Sequence, residues 1–213
     1  GEYVVGCHSF DRDEGEEGYF LISAHILLVH GHIMPLTTRL LALRGEVPVS
    51  PMFRDILRAL MSALAPELKN LKLQDRMAVY EGRDQIYLAA IANSELVYQA
   101  IATVLQQHHL SHDADPQAVM QILQLDQALC PRTGSEITLN ETFAFDAHAN
   151  FNALAAMEKP PVAAASEGEF SVEIHHPGGV GEILQVADGG SWLRGILRVP
   201  AIETSDIPFV AIA

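Results

Sequence analysis

The sequence predicts a mainly α protein with a small β tail: an α+β chain in which a helical bundle of about five to six helices precedes a short antiparallel sheet. Three observations carry this reading. Apolar residues recur at three- and four-residue spacing from Phe20 to Leu129, the period of buried helix stripes. Beyond Gly134, Ile137 to Phe145 alternates apolar and polar side chains, the period of a half-buried strand. The last third is punctuated by Pro177-Gly178-Gly179 and Asp188-Gly189-Gly190, which suit hairpin turns. At 213 residues there is room for one large domain or one domain with an appendage. We divide the chain into a helical part, 1–134, and a small mixed α/β tail, 135–213, packed on it as one unit.

Each element has its own local signal. After an extended Tyr3-Val4-Val5, acids from Asp11 to Glu17 precede an apolar run, as a helix N-terminus prefers, with Ser9 or Asp11 as cap. This predicts a helix from Asp13 to His30. Gly31 breaks it, and Ile33 to Arg44 resumes with Pro35 in the first turn and Gly45 as terminator. Ser50 is expected to cap a helix carrying Phe53, Ile56, Leu57, Leu60 and Leu64 on one stripe. A short helix is expected over Leu68 to Val79, closed by Gly82. Tyr87, Ile91, Ser94, Tyr98, Ile101, Leu105 and His108 alternate steps of four and three, which predicts one long helix over Asp84 to His109. Asp115 as cap and Pro116 at the first position start another, ending at Leu129 before Cys130-Pro131. A short helix through Phe151, Leu154 and Met157 follows the first strand, and Lys159 to Gly168 reads as a linker. Further strands are expected at Phe170 to His175, Glu182 to Val186, Trp192 to Val199 and Ile207 to Ile212.

Composition narrows the function. A formal net charge of −14, from 27 acidic and 13 basic residues, repels phosphate backbones, so nucleic acid and anionic membrane surfaces are not expected partners. The opening residues lack a basic n-region, and the apolar run from Tyr19 to Val29 is about half the length a membrane span requires. A soluble, cytoplasmic protein is the expectation. Cys7 and Cys130 have no cysteine neighbour at zinc or redox spacing, leaving a long-range disulfide or two free thiols; we read two free, buried thiols. Neither a nucleophile elbow, a dinucleotide fingerprint nor a phosphate-binding loop is present.

Ten histidines are the most unusual feature, because only histidine titrates near neutrality unaided. His25, His30 and His32 cluster around the Gly31 break, and Glu17 lies upstream as an acid/base partner or orienting group, so Glu17, His25, His30 and His32 form the candidate substrate pocket. The alternative is that these histidines fill a helix interface with locally bonded rings. His108 and His112 have the i, i+4 spacing of a metal pair, with Asp113 or Asp115 as a third ligand. Against that, a helix C-terminus attracts histidines without a metal, so no metal site is assigned. His175 and His176 point to opposite faces of a strand and cannot share one ion.

The opening Glu2-Tyr-Val-Val-Gly-Cys-His-Ser-Phe-Asp-Arg-Asp-Glu14, the Thr37-Thr-Arg-Leu-Leu-Ala-Leu-Arg-Gly45 segment and the Phe53-Arg-Asp-Ile-Leu57 helix resemble the region that follows the barrel in cobalamin-dependent radical S-adenosylmethionine enzymes. Gln124-Leu-Asp-Gln127, Thr142-Phe-Ala-Phe-Asp146 and Phe151-Asn-Ala-Leu154 are similar to the end of that region. The resemblance implies a C-terminal accessory domain that covers the barrel mouth or shapes a substrate pocket, with an upstream catalytic domain of the same polypeptide as partner. It also implies that the iron–sulfur cluster, S-adenosylmethionine and cobalamin reside in that domain, because this chain has no CxxxCxxC triad and no cobalamin domain. Cofactors within the chain are not expected. Two other readings stay open: a stand-alone enzyme using histidine for metal or acid/base chemistry, and a protein–protein interaction module whose β tail pairs with another chain.

Overall fold

A computed structural model describes residues 6, 9–45, 47–111, 113, 115–158, 160, 169–176 and the main chain of 201–203. It is mostly helical, with a small antiparallel sheet toward the C-terminus.

Helix α1, Arg12–His25, starts from a reciprocal cap: Asp11 Oδ1 accepts from the Glu14 N–H at 2.9 Å, and the Asp11 N–H donates to Glu14 Oε2 at 3.0 Å. The expected run to His30 is present, but its last turn, Ile26–His30, is a wider π turn. The chain then bends by 109° into α2, Pro35–Arg44. Gly31 sits at the bend because no other residue fits: a Cβ there would meet the Leu27 carbonyl oxygen at 2.4 Å and Tyr87 Cε2 at 2.8 Å. Gly45 ends α2 with φ +69°, the left-handed conformation that glycine adopts without steric cost.

Helix α3, Val49–Ala63, buries Met52, Phe53, Ile56, Leu57, Leu60 and Met61, the stripe that the spacing predicts. Its start differs from expectation. Pro48 occupies the cap position, and Ser50 and Pro51 lie inside the first turn, where a proline costs no intrahelical hydrogen bond.

The helix expected over Leu68 to Val79 is reduced to α4, Arg76–Glu81. Residues 64–75 form consecutive turns instead, with Leu68 N–H returning to the Leu64 carbonyl and Leu71 N–H to Leu68. The apolar residues Leu68, Leu71 and Leu73 are three and two apart, which gives no continuous helical stripe. Asp75 then caps α4 by accepting from the Met77 and Ala78 N–H groups.

The single long helix is also corrected. It is two helices, α5 (Arg83–Ala92) and α6 (Ser94–Val104, with a π turn at Leu105–His109), crossing at 101°. Asn93 makes the break: its side-chain amide donates to the Ala89 carbonyl at 2.8 Å, ending α5, while its main chain leaves the helical region. The four-and-three pattern continues across the bend because both helices bury one face in the same core. Helix α7, Pro116–Leu129, has the expected Asp115 cap and first-turn proline.

After α7 come β1 (Ile137–Phe143), α8 (Ala147–Ala155), β2 (Phe170–His176) and β3 (Ala201–Glu203). Met157, expected within α8, falls beyond it at φ +58°. The sheet order is β1-β2-β3, antiparallel, with Ile137 opposite His176 and Phe143 opposite Phe170. β2 packs on α7 and α8, so Val172 and Ile174 join the same buried cluster as Leu125, Leu129 and Leu154. β3 lies between two expected strands, Trp192 to Val199 and Ile207 to Ile212. Those two, Glu182 to Val186, Tyr3 to Val5 and all but Pro160 of the linker lie outside the described residues.

Candidate functional site

The π turn after α1 sets the geometry of the histidine segment. Its extra residue brings the His25 and His30 rings together in a T-shaped, edge-to-face arrangement, with centroids 4.9 Å apart and planes at 81°. Both are exposed, and His25 also lies 6.0 Å from the Phe53 ring of α3. Partial burial, and then the neighbouring His30, push the His25 pKa down, so His25 is held toward its neutral form.

His32 does not join this pair. It sits past the break at φ +54° and lines a hollow of about 40 Å³ beside Arg39, Asp126 and Phe151. Burial lowers its pKa, assisted by the positive charge of Arg39. Glu17 is farther away still. Eight positions before His25, it is displaced by about 12 Å along the helix. Its carboxylate is taken by Arg54 Nε and by Arg76 Nε, the latter at 3.2 Å. The four residues predicted as one pocket therefore occupy three places: an ion-paired carboxylate, an exposed imidazole pair and a half-buried imidazole.

The second histidine group is also distributed. His108 is exposed on the π turn of α6, while His109 Nε2 lies 3.1 Å from Asp55 Oδ2. The acids proposed to complete a metal set are already engaged. Asp113 pairs with Arg44 Nη1 at 2.6 Å, and Asp115 caps α7. His112 lies outside the described residues, and among those described no three His, Cys, Asp or Glu side chains gather as metal ligands. His175 and His176 do take opposite faces: His175 bonds Thr138 and Glu173, and His176 is buried.

One strongly perturbed carboxyl is a group that sequence reasoning missed. Asp126, 1 % exposed, caps α2 from α7: Oδ1 accepts from the Leu36 N–H at 3.0 Å and Oδ2 from the Thr37 N–H at 2.8 Å. Burial pushes its pKa up to about 7, against the opposing pull of those donors and of Arg39. A signal was available, because Asp126 stands on the Ile122–Asp126–Leu129 stripe, where a carboxylate needs partners from another element. Tyr98 completes the junction, its hydroxyl facing the Ile33 and Asp126 carbonyl oxygens, the latter at 2.9 Å. The adjacent Cys130 is free, and burial pushes its thiol up to about 12, which suits packing rather than nucleophilic attack. Cys7 lies outside the described residues.

No family model, curated protein or solved structure matches the chain.

A larger depression lies beside α1. A groove between α1, α3 and the 64–75 turns comprises two adjoining hollows of about 510 Å³ and 540 Å³ that share Ala65, Leu73 and Gln74. Phe20 and Met61 line the first hollow, whose basic rim is Arg58 and Arg76; Lys69 and Lys72 border the second. The segment that fails to form a helix is what opens this groove. Among the described residues, no single helix is long and apolar enough to cross a membrane.

Proposed function

We propose that the chain is a helical accessory domain of a cobalamin-dependent radical S-adenosylmethionine enzyme, shaping a substrate pocket beside a catalytic domain of the same polypeptide. The observation that carries this reading is the π turn at Ile26–His30, which holds two imidazoles edge to face on an exposed helix end. Such a pair can donate and accept hydrogen bonds toward a substrate or a facing domain. Support also comes from the Glu2 to Leu57 resemblance. The iron–sulfur cluster does not fit this chain: two cysteines cannot supply three thiolates, and Cys130 is buried with a raised pKa. No step is derived through it.

The encoding reading frame tests the proposal first. A CxxxCxxC segment and a cobalamin domain are expected ahead of Glu2, and finding neither overturns it. In the full-length enzyme, His25→Asn combined with His30→Asn is expected to raise KM several-fold, while substrate-free cleavage of S-adenosylmethionine is unchanged. Loss of that cleavage would instead assign the pair to the cofactor machinery.

A further inference from the structure

We propose that the groove between α1, α3 and the 64–75 turns binds a small amphiphilic anion, a phosphate or carboxylate head joined to a short aliphatic or aromatic body. This inference does not depend on the accessory-domain reading. The size is right for such a ligand, since small-molecule sites occupy about 300–1,000 Å³ and the Phe20 side of the groove holds about 510 Å³. An apolar body would meet half-buried Leu73 and exposed Ala65, which line both hollows, together with the edges of Phe20 and Met61.

Charge supplies the head-group preference. Residues 58–76 contain four of the 13 basic side chains and only two acids, Glu67 and Asp75, in a chain of net charge −14. Asp75 directs its carboxylate to the start of α4, and Arg76 is balanced by Asp13 and Glu17. Among the described residues, Arg58, Lys69 and Lys72 have no carboxylate partner. Arg58 is instead set over the Phe20 ring, its guanidinium carbon 6.0 Å from the centroid, at the boundary between apolar floor and solvent. A guanidinium there can take two oxygens of a phosphate or carboxylate, with the lysines as point charges farther along the rim. At physiological salt the screening length is about 8 Å, so Arg58, Lys69 and Lys72 act on a bound head group more strongly than carboxylates farther away.

Isothermal titration with monomeric decyl phosphate tests the site, with inorganic phosphate and 1-decanol as the head and body alone. Saturable binding of decyl phosphate is expected, much tighter than either control, and Arg58→Gln is expected to weaken it about tenfold by removing a charged hydrogen-bond pair. Arg58 is exposed, so this variant should keep the wild-type thermal unfolding curve; Lys69→Gln with Lys72→Gln gives a second, independent loss. Equal binding of decanol, undiminished binding by both variants, or binding of anionic vesicles without binding of the monomer would overturn the proposal.

Discussion

Tyr98 shows how one hydroxyl holds three segments. It is buried where the break after α1, the first half of α6 and the C-terminal half of α7 meet, and its oxygen faces carbonyls from Ile33 and Asp126. Tyr98→Phe leaves those oxygens without their donor in a site water does not reach. A loss of about 1–3 kcal/mol is expected, read as a lower urea midpoint with an unchanged slope. Gly31 is decided by space rather than by backbone conformation, since its φ of −75° suits any residue. A methyl group would collide with the Leu27 main chain and the Tyr87 ring. Gly31→Ala is therefore expected to destabilise by about 1–3 kcal/mol, with a matching fall in thermal midpoint; an unchanged midpoint would mean that the bend relaxes freely.

Among the elements, the legible ones are those whose ends carry their own chemistry. Asp11 with Glu14, Asp115 with Pro116, and Gly45 each act within a few residues, so α1, α2 and α7 are readable at one or both ends from local sequence. The start of α2 is different. Met34 contributes no side-chain cap, and the cap arrives from Asp126, far along the chain on α7. The split of α5 from α6 was hidden for a related reason: periodicity reports which side chains are buried, and both helices bury theirs in one core. Asn93 was the local warning, a short amide able to close a helix by bonding the carbonyl four residues back. The break expected at Gly31 is present, and its 109° bend sets His32 apart from the His25–His30 pair.

Across the whole molecule, two buried groups work against each other with pH. Asp126 has a pKa raised to about 7, so folding takes up a proton between about 4 and about 7, and its contribution to stability is lost as pH rises through that window. His176, buried on β2, has a pKa lowered to about 4, chiefly by burial and then by Arg132. Its contribution is present above about 6.5 and lost as pH falls toward about 4. Relative to wild type, Asp126→Asn should make stability fall more steeply on acidification from pH about 7 to about 4.5, and His176→Phe should make it fall less steeply or rise. Urea midpoints across that range measure both slopes, and parallel profiles for wild type and Asp126→Asn would show that the carboxylate is ionised in the fold.

The sequence by itself determined the helical body, the change to alternating strands after Gly134, the stripe of α3, the stop at Gly45 and the cap of α7, because those features rest on side chains acting on their own neighbourhood. It also determined that His175 and His176 diverge, since that follows from the pleat alone. Only the tertiary structure decided that Asp126 is a cap, that the candidate histidines part company with Glu17, and that the turns at 64–75 open a basic groove. Each of these depends on which distant segments meet, and a bend of about a right angle at Gly31 or Asn93 redirects everything that follows without changing the local apolar period.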